Sequence, residues 1–206
     1  MKPEAPTKHT LKRQQSWKTF LHNHRLRSID FFVVPTATFQ LLYVLIIINH
    51  ASRKIEHVNV TAHPNSDWLK QQIREAMPFN HQPKYLLHDN DPVFTSTEFQ
   101  NCLAPMDVES VRTSYRSPWQ NGICERAVGI FKRDLIDHII PLGERHLRKL
   151  LRSYVNDYYN TNRTHQGIDK KTPVPKAQPI ATLAKHTKLK ATPVLNGLYH
   201  TYDKVA

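Results

Sequence analysis

The sequence predicts a mixed α/β domain built on one central sheet. Three segments rich in β-branched and aromatic residues, 29–34, 41–49 and 55–61, follow one another with short polar breaks, which is typical of hairpin-connected strands. Patterns of helical and strand period then alternate, which adds further strands and the helices that cover them. With 206 residues, 39% of them hydrophobic, the chain is large enough for one sizeable core with extensions.

Each expected element rests on its own local signal. The run 41–48 holds eight apolar residues, too few to cross a bilayer, so it predicts a buried strand and no membrane span. Apolar residues at helical spacing and capping residues mark the helices. After the first three strands we expect a helix from Ser66, a strand over 85–88, a short helix over 96–103, a strand over 108–114, a helix opening at 117 and a helix over 144–160.

Charge is distributed unevenly along the chain. The formal net charge of +12 and a pI near 9.8 predict a polyanionic partner, most simply nucleic acid. Residues 1–27 carry a net charge of +6, residues 28–125 carry −3 and residues 126–190 carry +9. An acidic middle between basic flanks suits a cation-binding centre with DNA-binding surroundings. We divide the chain into a basic N-terminal extension (1–27), a folded core (28–171) and a loosely attached Pro- and Lys-rich tail (172–206).

The two cysteines, Cys102 and Cys124, are far apart and form no CxxC pair. Because the sequence also shows no secretory signal, we expect a reducing, cytoplasmic environment and neither a disulfide nor a structural zinc site.

The stretch SPWQNGICERAVGIFKRDL, residues 117–135, predicts a helix with two contrasting faces. Ser117 is a favourable N-cap, Pro118 fits the first helical position, and Gln120 completes a capping-box pattern. The apolar stripe consists of Ile123, Ala127, Ile130 and Phe131, and the polar stripe on the opposite side of Asn121, Glu125, Gly129 and Lys132. Taken alone, Glu125 is a solvated surface residue.

Two upstream aspartates give Glu125 a second interpretation. Asp30 lies inside the apolar strand SIDFFVV, where a charge is costly unless something compensates it. Asp89 ends the strand YLLHD, and 35 residues separate it from Glu125. If their elements pack together, the three carboxylates form an all-oxygen site suited to Mg²⁺ or Mn²⁺. Two such ions would clamp a phosphodiester between them.

Asp30, HDNDPVF at 88–94 and SPWQNGICER at 117–126 together resemble the integrase catalytic core shared by retroviral integrases and many bacterial insertion-sequence transposases. That resemblance implies a ribonuclease H-like fold, with a central mixed five-stranded sheet flanked by helices. It also implies a catalytic Asp, Asp, Glu triad whose last two members are 35 residues apart, as here. The stretches IDFFVVPTATFQLLYVL, VTAHP, GERHLRKLLRSYVNDYYNTNRTHQGI and LNGLYHTY are similar to one bacterial transposase branch.

The resemblance implies a role for each carboxylate. Asp30 would bridge two metal ions, Mg²⁺ or Mn²⁺, with Asp89 binding one of them and Glu125 the other. Asp91 stands where the family usually has glycine and is a second acidic candidate at this place. Because Phe94 keeps its family position relative to Asp89, we assign Asp89 as the ligand.

Further DNA contacts are expected on the two long helices. Lys132 matches a lysine that contacts the DNA end in such enzymes, with an ordinary solvated lysine as the alternative. Asn121, one turn before Glu125, would orient the substrate or a metal-bound water, or else cap the helix. A basic stripe on the last helix is either solvated or follows a phosphate backbone. This stripe consists of Arg145, Arg148, Lys149 and Arg152.

The expected activity is metal-dependent cleavage of DNA ends followed by their transfer to target DNA. The alternatives are a nuclease of the same fold that hydrolyses without joining, and a catalytically silent DNA-binding remnant of a decayed mobile element. The resemblance further implies a homo-oligomer assembled on DNA. Such transposases usually carry an N-terminal helix-turn-helix region that recognises the element's ends, and we expect a separate chain to supply it.

Overall fold

A computed structural model describes residues 25–78, 81–114, 120–175 and 189–204. Its centre is a five-stranded mixed sheet with the strand order β3-β2-β1-β4-β5. The strands are β1 (Leu26–Pro35), β2 (Leu41–Asn49), β3 (Ile55–Thr61), β4 (Tyr85–His88) and β5 (Glu109–Arg112). The first three strands form an antiparallel meander, and β4 and β5 run parallel to β1. The predicted mixed five-stranded sheet is confirmed.

The β1–β2 connection shows why the first hairpin closes where the sequence suggested a turn. Thr36 N–H donates to the carbonyl oxygen of Gln40, and Gln40 N–H donates to the Thr36 hydroxyl oxygen. Phe39 adopts a left-handed backbone with a φ of 61°. From this turn β2 runs through the middle of the molecule, and its residues from Val44 to Ile48 are fully buried. The apolar run 41–48 is therefore the buried strand that its length predicted.

Among the described residues, five α-helices flank the sheet. They are α1 (Ser66–Ala76), α2 (Pro92–Thr95), α3 (Thr97–Leu103), α4 (Gly122–Asp134) and α5 (Glu144–Ser153), the last of which continues as a π-helical segment, Tyr154–Tyr159. The side chain of Asn65 caps α1 by accepting from Trp68 N–H, and Ser96 caps α3 by accepting from Phe99 N–H. No described helix combines the length and apolar character that crossing a membrane requires.

The start of α4 differs from the predicted one. The helix begins at Gly122, and Ser117 and Pro118, on which the expected cap rested, lie outside the described residues. Gln120 takes no part in a capping box, because its side-chain oxygen accepts from Ser114 N–H at 2.6 Å. Asn121 occupies the N-cap position without a side-chain capping hydrogen bond. Its side chain is therefore available for a contact elsewhere.

Alternation along β1 divides the interior into two cores. Phe32 and Val34 belong to the core that the sheet forms with α4, α5 and the π-helical segment. Ile29 is part of the core beneath α1 and α3 on the other face of the sheet, and Phe31 packs against it. Because side chains alternate along a strand, Asp30 is on the same face as Phe32, facing the α4 side.

The end of the chain packs against the domain. Strands β6 (Leu189–Val194) and β7 (Tyr199–Lys204) form a separate antiparallel hairpin. The ring of Tyr199 stacks on Tyr158 with centroids 3.9 Å apart, and its hydroxyl donates to the carbonyl oxygen of Asp134 at 2.5 Å. These contacts attach the hairpin to α4 and to the π-helical segment, so the expectation of a loose tail does not hold for it. The expected domain boundaries at residues 27 and 171 stay predictions.

Candidate active site

The register of two central strands places the two aspartates beside each other. In the parallel pair β1–β4, Leu26 pairs with Tyr85 and Ser28 with Leu87. Continuing this register by two residues sets Asp89 level with Asp30. Neighbouring strands lie about 4.8 Å apart, and level residues of such a pair project to the same face. The sheet itself thus brings together two residues that are far apart in sequence.

The side chain of His88 explains why Asp89 is directed to the α4 side. The His88 ring lies in the opposite core, with centroids 5.6 Å from Phe94 and 5.4 Å from Phe99. Its Nδ1 is 2.6 Å from the carbonyl oxygen of Asp89, to which it donates. The next residue, Asp89, therefore leaves the strand on the other face, which Asp30 shares.

Helix α4 covers these aspartates. The Phe32 ring is 5.9 Å from Phe131 of α4, which fixes the helix over this face of β1. Asn121 is only 3% exposed, and its Nδ2 lies 3.5 Å from Asp30 Oδ2. Asn121, which the sequence placed on the polar stripe of the helix, precedes the helix and turns inward. Its Oδ1 is buried and has no hydrogen-bond partner among the described residues.

Electrostatics shows that the acidic side chains share one neighbourhood. Burial raises the pKa of Asp30 to about 7, and the negative charges of Asp89, Glu125 and Asp91 act in the same direction. The hydrogen bond that Phe31 N–H donates to Asp30 Oδ1 at 2.8 Å opposes this shift. The thiol of Cys124 lies in the same field, because burial and the charges of Asp30, Asp89 and Glu125 all raise its pKa.

Asp91 has a structural task that distinguishes it from Asp89. Its Oδ1 accepts from Val93 N–H at 2.9 Å and so caps α2. Its own N–H donates to Asp89 Oδ1, also at 2.9 Å, which holds the Asp89 carboxylate in place. One oxygen of Asp91 is thus committed to a helix terminus, whereas Asp89 is positioned by its neighbour. Because Asp89 also has one oxygen in a backbone hydrogen bond, the assignment of Asp89 over Asp91 stays a prediction.

Glu125 lies in the first turn of α4, and its side chain is exposed. Together with Asp30, Asp89 and the unpartnered Oδ1 of Asn121, it offers only hard oxygen donors, the set that Mg²⁺ and Mn²⁺ prefer. Across the described residues, no three His, Cys, Asp or Glu side chains are already gathered as ligands of one ion. The pKa of Asp30 is raised first by burial and then by repulsion from the negative charges of Asp89, Glu125 and Asp91. A cation would relieve this repulsion, so the donor set fits divalent metals.

The predicted DNA-contacting residues fall into two groups. Lys132 on α4 and Arg145, Lys149 and Arg152 on α5 are exposed. Arg148 is not free: its guanidinium donates to Asn59 Oδ1 at 2.8 Å and to the carbonyl oxygen of Val60 at 2.9 Å, and it pairs with Glu144. This residue joins α5 to the edge strand β3. Its inclusion in a phosphate-binding stripe is at odds with these contacts.

Comparison with known proteins agrees with this geometry. Residues 106–173 match the family described as integrase core domain. This part of the chain is similar to integrase core domains. The matched region includes Glu125 and all of α4 and α5. A 146-residue segment is also 27% identical to the transposase for insertion sequence element IS904 of Lactococcus lactis subsp. lactis (strain IL1403). That alignment covers 70% of this chain and 57% of the transposase, so the chain spans little more than half of that relative.

Solved structures of integrases share the fold of this chain. A chain of the simian T-cell lymphotropic virus intasome superposes with a TM-score of 0.60 at 18% identity, covering 85% of this chain and 65% of that one. The HTLV-2 integrase catalytic core domain in complex with magnesium, in its trimeric form, gives a TM-score of 0.56 at 18% identity, covering 73% and 93%. The ribonuclease H-like fold expected from the sequence is confirmed.

One concave surface escaped the sequence analysis. A common cavity is lined by Arg53 of the β2–β3 turn, Arg126 of α4 and Lys170, which follows the π-helical segment. These residues come from three distant parts of the chain, and no spacing rule connects them. The local signal was limited to the excess of positive charge after residue 125.

Proposed function

We propose that this chain is the catalytic core of a DNA transposase or integrase that cleaves DNA ends and joins them to target DNA. The observation that carries the proposal is the β1–β4 register, which pairs Ser28 with Leu87. Extended by two residues, this register would set Asp89 level with Asp30, on the face of β1 that the helix bearing Glu125 covers. The match to the integrase core domain family and the likeness to the IS904 transposase support the same activity.

Asp30, Asp89 and Glu125 would hold two divalent ions, Mg²⁺ or Mn²⁺, at this site. When bound, such ions activate the attacking oxygen and stabilise charge on the leaving oxygen of a phosphodiester. The HTLV-2 integrase core in complex with magnesium supports this choice of cofactor. The candidate ligands are carboxylate and amide oxygens, and Asp30, with its pKa raised to about 7, is the carboxylate that would gain most from a nearby cation.

The remaining residues near the site position these groups and hold the nucleic acid. Asp91 fixes the Asp89 carboxylate through its N–H, and Asn121 contacts Asp30 and offers its free Oδ1 to the substrate side. Lys132, Arg145, Lys149 and Arg152 would neutralise phosphates of the bound duplex. In the reaction, water cleaves a phosphodiester and leaves a 3′-hydroxyl, which then attacks a phosphodiester of the target strand.

The partners follow from the same proposal. DNA ends and target DNA are the substrates, in the cytoplasm with the bacterial nucleoid. We also propose a homo-oligomer on DNA, which the trimeric and dimeric forms of the HTLV-2 core support by analogy. A separate helix-turn-helix chain would recognise the element ends.

The test is a cleavage and joining assay on labelled oligonucleotides with wild type and Glu125→Gln. The substitution keeps the size and helix propensity of an exposed residue but removes the anionic oxygen that a hard cation needs. Mg²⁺-dependent nicking and joining should fall by orders of magnitude, while melting and DNA binding stay unchanged. Exposed Glu98→Gln on α3 is the matched control and should retain full activity.

Other outcomes of this assay identify the alternatives. Nicking without joined products, with or without an added recognition chain, would identify a nuclease. A wild type that binds DNA but cleaves none of the ends tried would identify a catalytically silent remnant. Equal activity of Glu125→Gln and wild type would show that Glu125 is an ordinary surface residue.

A further inference from the structure

A cavity of about 440 Å³ lies between α4, the β2–β3 turn and the segment that follows the π-helical turn. We call it the basic cavity. Its floor is apolar and includes Ile123, Ala127 and Ile130 of α4. Its rim carries five cationic side chains, and none of the described residues that line it is acidic. These five are Arg53, Arg126, Arg133, Arg163 and Lys170.

Most of this positive charge is not balanced within the described part of the chain. Arg163 donates to Asp134 Oδ2 at 2.8 Å, and this ion pair lies beside the cavity. Arg126, Arg133 and Lys170 are exposed and form no ion pair with any described residue. The charge of Arg126 acts on Arg53, whose pKa is lowered first by burial and then by this like charge. The rim is therefore a set of cations that an anion would stabilise.

His165 supplies an independent indication of a ligand. It lines the basic cavity and is 8% exposed, with its ring 4.7 Å from that of Tyr159. The ring forms a hydrogen bond with the backbone of Tyr159. Its Nε2 is buried and has no hydrogen-bond partner in the described structure. A buried polar atom without a partner is costly. Burial and the charges of Arg163 and Arg53 lower the pKa of His165. The negative charge of a phosphate in the cavity would oppose this shift and favour the imidazolium, whose Nε2–H would donate to a phosphate oxygen and so remove this cost.

Gly167 adapts the wall of the basic cavity to its arginine. A Cβ at this position would lie 3.1 Å from Nε and 3.2 Å from a terminal nitrogen of Arg53. The missing side chain therefore lets the Arg53 guanidinium lie flat against the backbone of the 163–170 segment. Arg53 also donates to the carbonyl oxygen of His50 at 2.6 Å, which fixes its orientation from the other side. The cationic group is thus held in place before any ligand arrives.

We infer that the basic cavity binds a phosphate group of the DNA backbone, with the attached sugar against its apolar floor. The inference rests on the proposed function in so far as DNA is the substrate. Arg126 directly follows Glu125 on α4, so a strand that reaches the carboxylates also passes the cavity rim. The apolar floor favours a sugar-phosphate unit over a free inorganic anion, because it buries the carbon atoms of the sugar.

The test compares the double variant Arg126→Gln/Arg133→Gln with a matched control, Arg74→Gln/Lys84→Gln. All four residues are exposed, both variants lose two positive charges, and the control residues belong to α1 and the start of β4, away from the basic cavity. Binding of a labelled duplex is measured by fluorescence anisotropy at about 50 and about 200 mM salt. The cavity variant should bind at least about tenfold more weakly at low salt and lose about one to two from its salt slope. The control should lose much less.

Each result decides something specific. Equal affinity of the two variants would overturn the cavity as a DNA site, while Mg²⁺-dependent cleavage by wild type would still support the proposed function. A weakened cavity variant of a wild type without cleavage activity would keep the cavity and reject the enzyme. Wild type that binds no duplex would reject both.

A second measurement separates DNA from a free anion. The imidazole of His165 is followed by NMR while duplex DNA or inorganic phosphate is added to the full chain. A shift of its signals with duplex at protein-equivalent concentrations supports the inference. A response to inorganic phosphate with none to duplex would show a small-anion site and overturn it.

Discussion

Replacing Asp30 by asparagine should stabilise the fold in the absence of metal. The pKa of Asp30 is raised to about 7 from an ordinary value of 3.8, chiefly by burial. A carboxyl group with a raised pKa binds its proton more tightly in the folded state, so its ionisation opposes folding. The resulting loss in free energy of unfolding begins above the pKa of the unfolded state, near 4. It grows with pH and reaches its full value above about pH 7. At about 1.4 kcal/mol per tenfold change, the full cost is at most about 4 kcal/mol.

Asp30→Asn removes this cost while keeping an oxygen for the hydrogen bond from Phe31 N–H. At pH 8 without divalent ions, the free energy of unfolding should rise by about 2 to 4 kcal/mol. At pH 4 the difference should largely disappear, because wild-type Asp30 is then protonated as well. The measurement is urea unfolding at both pH values, with the exposed Asp137→Asn as control, for which we expect less than about 0.5 kcal/mol.

Magnesium should reverse the ranking of the two proteins. A cation that binds the folded state stabilises wild type through linkage, and Asp30→Asn has lost the anionic ligand. Added Mg²⁺ should therefore raise the melting temperature of wild type at pH 8 and leave that of the variant nearly unchanged. If Asp30→Asn is no more stable than wild type at pH 8, the carboxylates do not repel one another as the structure indicates, and the site assignment loses its basis.

Two further predictions concern residues beside the site. Arg148→Ala should lower the free energy of unfolding in urea by about 2 kcal/mol, because it removes charged hydrogen bonds to Asn59 and Val60. The control Arg152→Ala, at an exposed residue, should change the free energy of unfolding by less than about 0.5 kcal/mol and reduce the salt slope of DNA binding by about one. Equal stability of the two variants would refute the anchoring role of Arg148. Asp91→Ala should lower the free energy of unfolding by about 1 kcal/mol through the lost cap of α2, yet keep measurable Mg²⁺-dependent cleavage. Asp89→Asn should abolish that cleavage. The reverse pattern would make Asp91 the metal ligand.

The elements with a strong local signal were predictable from sequence. The strands over 41–49, 55–61 and 85–88 match the structure at both ends, because apolar runs with polar boundaries leave little choice of limits. The start of α4 was predicted wrongly because Ser117, Pro118 and Gln120 satisfied a capping pattern. In the structure the helix starts later, and Gln120 bonds to Ser114 instead. A capping pattern therefore marks the approach to a helix better than its first residue.

Tertiary contacts account for what the sequence did not show. The convergence of Asp30 and Asp89 was expected only if their strands paired, and the pairing register supplies that condition. Arg148 looked like its basic neighbours because spacing along a helix does not reveal which side chain meets an edge strand. Asn121 was placed on the polar stripe because helical spacing was extended back over a residue that precedes the helix. In each case the deciding partner is distant in sequence.

Helix α4 connects the two charged regions of the molecule. The side chains of consecutive helical residues point about 100° apart. The neighbouring residues Glu125 and Arg126 therefore present opposite charges in different directions. Glu125 adds its charge to Asp30 and Asp89, a group that by itself repels DNA. Arg126 adds its charge to the basic cavity, whose cations attract the same strand. Helix α4 contributes one residue to the carboxylate site and another to the basic cavity. A phosphate held in the cavity would therefore fix the position of the DNA strand relative to the carboxylates. Cleavage at a defined bond requires such a fixed position.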